Sequence, residues 1–261
     1  MRWHLENRDA ARPQDANELA DVVLRLFGHH VLQDDVGIQE VEGAGCVRGK
    51  IRLVEPRLAA VAQTFWTHPR VAELYPEFLF LVHTMIRGSV PMMQAAAAEA
   101  RRRPDDPVAA PLAEYYEHHA REEMHHDDWL LDDLEAIGHR REDVLARLPS
   151  PTVAALVGAQ YYWIHHVHPA AFLAYLAVFE GNPPEVEQLE DIRRRAGLPQ
   201  AAFRTLIKHA HLDPHHRDDL NDTLDALALT PALHGLLGVA AFFTVERVAE
   251  AMEEILARFG V

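Results

Sequence analysis

The stretch HHAREEMHHDDW, residues 118–129, sets four histidines among five charged side chains. Imidazole and carboxylate together can hold a transition metal without sulfur, and they also move protons. A second stretch, HAHLDPHH at 209–216, repeats one spacing from the first: His, three residues, an acid, two residues, His. It reads His119, Glu123, His126, and then His209, Asp213, His216. Ten of the eighteen histidines stand in five HH pairs. Neighbours on a helix point about 100° apart, so no such pair can aim both rings at one site.

Helical phase chooses within the pairs. With Glu123 as the zero of angle, Leu112, Tyr116, Leu130, Leu134 and Ile137 fall within about 40° of it, and His119 and His126 lie about 40° and 60° to one side. His118, Glu122 and His125 lie about 100° to 160° away, towards water. Around Asp213 the pattern recurs: Ala202, Leu206, Leu220, Leu224 and Leu227 share its face, His209 and His216 flank it, and His211 and His215 point away. That phase requires the helix to continue through Pro214. A third acid, Glu180, shares a face with Tyr162, Leu173, Leu176 and Ala177. One histidine on an apolar face is more often a hydrogen-bonded core residue than a ligand. Three carboxylates on apolar faces are harder to accommodate, because a bare buried carboxylate is costly and takes up a proton sooner than stay ionised. A bound cation explains all of them, and oxygen with imidazole donors suits iron, manganese or zinc.

Most of the chain must be helix to position these residues. Helices are expected over about 16–33, 56–66 with Pro56 near the start, 76–103 with a kink at Pro91, and about 108–137 ending before a capping Gly138. Further helices are expected over 150–180 with a bend near Pro169, then 184–197, 199–229 and 231–259. Residues 34–50 read as irregular, so 1–50 is an N-terminal helix and irregular segment packed on a helical domain of 51–261, one domain overall. No strand set and no fixed-period repeat stands out, which makes the chain all-α. A net charge of −15 argues against a nucleic-acid partner. The lone Cys46 excludes a disulfide framework. No apolar run approaches the roughly 20 residues of a membrane span, and the N-terminus lacks a signal-peptide pattern. The expectation is a cytoplasmic protein with no membrane partner, a small-molecule substrate, and a homodimer left open.

On EEMHHDDWLLDDLEAIG, on AYLAVFEG, and on HAHLDPHH with the RDDLNDTLDALAL that follows, the chain resembles the heme-oxygenase-like diiron oxidases and oxygenases. These share a heme-oxygenase-type helical fold and bind non-heme iron in place of heme. The likeness spans roughly residues 76–250. It implies a single heme-oxygenase-like helical bundle. It also implies six metal ligands: Glu123 and His126 as a Glu-x-x-His pair, Glu180 near the end of the second core helix, and His209, Asp213 and His216 on the third. Where some members carry a carboxylate seven residues before the first-helix histidine, this chain has His119, whose role stays open. The resemblance further implies two Fe2+ ions, O2 as cosubstrate and an external electron source. Its chemistry would be oxidation of an amino acid, amine or fatty acid through a peroxo-type intermediate, with Glu180 bridging the metals. His119, His166 or Tyr162 would supply hydrogen bonds to the ligands. Arg87 reads as a surface or structural arginine. Three alternatives stand: a metal-binding protein without turnover, a heme oxygenase using one histidine, and a metal-free thiaminase-like hydrolase, whose nucleophile would have to be Cys46.

Overall fold

Ten α-helices and one 3-10 turn are present in a computed structural model that describes residues 43–181 and 183–260, and no strand occurs among these described residues. In chain order they are α1 (Gly43–Thr67), α2 (Val71–Arg101), α3 (Ala109–Glu122), α4 (His126–Glu135), α5 (Arg141–Ala146), α6 (Pro151–His166), α7 (Ala171–Glu180), α8 (Val186–Ala196), α9 (Arg204–Ala226) and α10 (Pro231–Arg258). The 3-10 turn Gln200–Phe203 leads into α9. The expected helix at 16–33 lies outside the described residues.

Several boundaries differ from those the sequence suggests. Residues 43–50 are helical rather than irregular, and Pro56 falls in the middle of α1. α2 begins at Val71 and runs on through Pro76 and Pro91. The helix expected over 108–137 is two helices, separated at Glu123–His125, where His125 adopts the left-handed conformation (φ 71°). Gly138 does take the positive φ (92°) of a C-terminal cap, and the amide of His139 donates to the carbonyl of Leu134. The bend expected near Pro169 is a full break between α6 and α7. α9, in contrast, is continuous through Pro214.

The bundle is organised around α7, whose residues from Ala171 to Ala177 are all buried. Such an element is apolar on every side because it sits at the centre of the core. α2 packs on α3, α4 and α6, while α10 packs on α1, α6 and α7. α10 is long and apolar enough to cross a membrane by length and composition, and its buried residues face these neighbours.

Four polar ties, three of them buried, fix the helices that carry the candidate site. Tyr116 Oη donates to the carbonyl of Pro169 (2.9 Å), joining α3 to the break before α7. His168 completes that break, bonding Asp106 through Nε2 (2.7 Å) and accepting the Ala170 amide through Nδ1 (3.1 Å). The fully buried Asp133 of α4 accepts the amide of Thr205 (2.8 Å), an otherwise orphaned donor in the first turn of α9. Tyr75 stacks on Phe203 (4.1 Å between centroids) and donates to the carbonyl of Ala202 (2.8 Å), seating the same helix start on α2.

Candidate metal centre

α3, α4, α7 and α9 bring Glu123, His126, Glu180, His209, Asp213 and His216 into one buried cluster, and His119 joins them. The donor atoms fall into two groups. His119, Glu180 and His216 form one; Glu123, His126 and His209 form the other; within each group the donor atoms lie within 4.8 Å of one another. His119 Nε2 lies 2.9 Å from Glu180 Oε1. His126 Nδ1 lies 2.9 Å from Glu123 Oε2, and His209 Nδ1 lies 3.0 Å from Asp213 Oδ1.

Two carboxylates reach across both groups. Glu123 turns Oε2 to His126 and Oε1 to His216 Nδ1 (3.5 Å). Asp213 Oδ1 contacts His209 and lies 4.0 Å from His216 Nδ1. Glu180, expected to bridge, has its closest imidazole in His119 of the first group alone. Of the other expected hydrogen-bonding partners, Tyr162 is 60% exposed and His166 is also exposed, so neither reaches the buried ligands. Arg87 is exposed on α2.

The break at 123–125 shapes the cluster. The Glu123 amide still donates to His119 as the end of α3, and the His126 amide donates to the Glu123 carbonyl (3.3 Å), so Glu123 and His126 both stay inside. His125 takes up the turn and points its ring into solvent (73% exposed). Three surrounding residues escaped the sequence reading. Trp129, one turn after His126, stacks on its ring at 3.9 Å and is covered by the Lys208 ammonium at 3.7 Å. Tyr115 stacks on His119 (5.5 Å). Glu122, assigned to the solvent face, is only half exposed and sets Oε2 3.6 Å from His119 Nδ1. The spacing of Trp129 from His126 was a usable signal. So was that of Tyr115 from His119, four residues apart, whereas the inward lean of Glu122 left no such mark.

The electrostatics are those of a cluster that wants a cation. Burial opposes charge on His119, but Glu180, Glu123 and Glu122 outweigh it and raise its pKa to about 9. Burial pushes Glu180 upward, only partly countered by His119. His209 is raised in spite of its burial, through Asp213 and Glu123. Burial also opposes ionisation of Glu123, yet His126, His209 and His119 hold it below the ordinary carboxylate range. Even so, Glu180 Oε2, His209 Nε2 and His216 Nδ1 are buried without any hydrogen-bond partner. Unpaired polar atoms of this kind are rare in a core. Each is a lone-pair donor, so the residues present fit a pair of metal ions well.

One end of an apolar cavity of about 280 Å³ is formed by Glu123, Glu180, His209 and Asp213. Its walls include Phe78 and Met85 of α2, Phe179 of α7, Leu206 of α9 and Val248 of α10, and among the described residues neither Lys nor Arg lines it. Cys46 is buried in α1 and does not line it, so the thiaminase-like alternative has no nucleophile there.

The family described as iron-containing redox enzymes matches residues 84–246, a span that holds every member of the cluster. Among solved structures, a domain of unknown function with a heme oxygenase-like fold from Shewanella denitrificans OS217 is similar over 82% of this chain and 90% of its own, at 19% identity and a TM-score of 0.67. A TenA homolog from Pseudomonas syringae pv. tomato DC3000 is similar over 83% and 94%, at 14% identity and a TM-score of 0.65. At these identities the likeness establishes the heme oxygenase-like all-α fold. No curated protein matches the sequence.

Proposed function

We infer the function from one premise: the chain belongs to the family of iron-containing redox enzymes, which matches it over residues 84–246. On that footing it is an O2-dependent non-heme iron oxidase or oxygenase, with two Fe2+ ions held by the buried cluster and a small organic substrate in the apolar cavity. The observation that carries this reading is the pair of buried donor groups spanned by Glu123 and Asp213 and opening onto that cavity.

His119, Glu180 and His216 would hold one ion, and Glu123, His126 and His209 the other, with Asp213 completing the second group. Bound iron supplies the redox chemistry with O2, drawing on an external electron source. The protein does the rest. Trp129 and Tyr115 fix the planes of His126 and His119, so the donor atoms are aimed before anything binds. The walls from Phe78, Met85, Phe179, Leu206 and Val248 exclude water and hold an apolar body against the cluster.

The same walls narrow the substrate. Two ferrous ions would bring four positive charges, and the carboxylates that line the cavity, Glu123, Glu180 and Asp213, supply three negative ones; Glu122 meets the cluster behind His119 and His216 and does not line the cavity, so the cavity-facing side of the cluster is mildly cationic. An anionic head fits there, while the described walls add no further carboxylate for a separate ammonium group, only the hydroxyls of Ser89, Tyr175 and Thr205. Of the amino acid, amine and fatty acid classes, a monocarboxylate with an uncharged apolar tail fits best. Oxygen uptake by the anaerobically Fe(II)-loaded protein, measured with a panel of such acids and with amino acids of similar size, tests this. Uptake stimulated by the apolar acids is expected. Indifference to every compound would leave a metal-binding protein without turnover.

A further inference from the structure

Three HH pairs supply the buried cluster, and in two of them the other histidine faces one spot on the surface, while that of the third, His125, pairs with Asp128 instead. His118, beside His119, stands four residues before Glu122 on α3; His215, beside His216, stands four residues before Asp219 on α9. Side chains four apart on a helix lie on the same face, so each helix presents a His–carboxylate pair, and α3 packs against α9. His118 Nε2 lies 3.4 Å from Glu122 Oε1, and His215 Nε2 lies 3.4 Å from Asp219 Oδ2. Donor atoms of His118, Glu122 and Asp219 lie within 4.8 Å of one another, at the surface.

Glu122 connects this outer spot to the buried one. Its Oε1 faces His118, while its Oε2 is buried without a hydrogen-bond partner, 3.6 Å from His119 Nδ1 and 4.0 Å from His216 Nε2. His216 is itself 3% exposed, and its Nδ1 also lacks a partner. None of His119, His216 or Glu122 lines the apolar cavity, so the outer spot meets the cluster on the side away from the substrate walls.

We propose that His118, Glu122 and Asp219, with His215 supporting Asp219, form a third, solvent-accessible divalent-metal site that loads the buried centre through Glu122. The oxygen and imidazole donors suit Fe2+ or Mn2+, and the weak exposed cage suits transit rather than storage. The ion would arrive on the outer donors, shed water, and pass inward between the His119 and His216 rings, whose far nitrogens (His119 Nε2 and His216 Nδ1) face Glu180 and Glu123, as the Glu122 carboxylate rotates. The proposal rests on the buried cluster being a metal centre.

Titrating the metal-free full chain with Mn2+, followed by electron paramagnetic resonance and calorimetry, tests it, with the His118→Ala/Asp219→Asn double variant beside the wild type. His118 is exposed and Asp219 partly so, and both lie outside the buried set, so the fold should survive, and equal far-UV spectra and melting would show it. The wild type should take up two tight equivalents and a third, weaker one. The double variant should lose the third, keep the two, and fill them roughly tenfold more slowly. Glu122→Gln, which keeps the shape and removes the charge, should slow filling as well. A wild type with no third equivalent, or a double variant that keeps it or fills at the wild-type rate, overturns the proposal. A weak outer equivalent without the two tight ones would instead overturn the reading of the buried centre and leave the outer site standing.

Discussion

Glu123 is where the two donor groups meet, its oxygens turned to His126 and to His216. Removing it takes a donor from both groups, whereas His125 contributes only an exposed contact with Asp128. Glu123→Ala should therefore abolish stable iron binding, and His125→Ala should leave iron content unchanged; elemental analysis after anaerobic loading compares them. The metal-free protein should also report on His119. Its pKa in the fold is about 9 against the ordinary 6.5, so the fold binds the extra proton more tightly than the unfolded chain does. That stabilisation is complete below about pH 6.5 and is lost as pH rises towards about 9. Thermal midpoints of the metal-free protein should fall across that window, and Glu180→Gln should flatten the fall; a rise with pH would contradict the assignment. Helical phase was enough to place Glu123, Asp213 and their flanking histidines on inward faces, because apolar neighbours at regular intervals marked those faces. It misplaced Glu122, since a side chain at the edge of a face can lean either way.

At the scale of elements, the break at 123–125 left no mark in the sequence. No Gly or Pro stands there, and the left-handed turn falls on His125. That conformation costs an L-residue roughly 1–2 kcal/mol, and glycine avoids it at an entropic cost of roughly 0.5–1 kcal/mol. His125→Gly should thus be neutral or stabilise by up to about 1.5 kcal/mol, read from denaturant melts. A clear destabilisation would show that the turn is held by the His125 side chain. Pro214 was the opposite case, a breaker that breaks nothing. It removes the hydrogen bond to the Ala210 carbonyl, and α9 is held instead by Asp133 at its start and by Leu220 and Leu224 in the core. Amides at 209–217 should exchange faster in the metal-free protein than after Fe(II) loading, since bound metal ties α9 to α3, α4 and α7. Equal exchange in both states would show the helix to be fully preformed.

On the scale of the whole molecule, the all-α heme oxygenase-like architecture was legible from motif order, since a Glu-x-x-His, a lone Glu and a His-x-x-x-Asp-x-x-His follow one another on successive core helices. The cavity was not. Its walls come from α2, α7, α9 and α10, and residues such as Phe78 and Val248 look like any other core positions until the helices are packed. The walls and the cluster should be separable. Val248→Trp fills the cavity without touching a donor, so substrate-stimulated O2 uptake should drop at least roughly tenfold while iron content stays, at a stability cost of about 1–3 kcal/mol from overpacking. On the proposed function, the buried cluster should take up two iron ions. Iron per chain after anaerobic Fe(II) loading and desalting, read by elemental analysis with Mössbauer spectroscopy, measures this directly. Two irons per chain are expected in the wild type and fewer than one in Glu123→Ala. A wild type without bound iron, or a Glu123→Ala protein that keeps both ions, would contradict it.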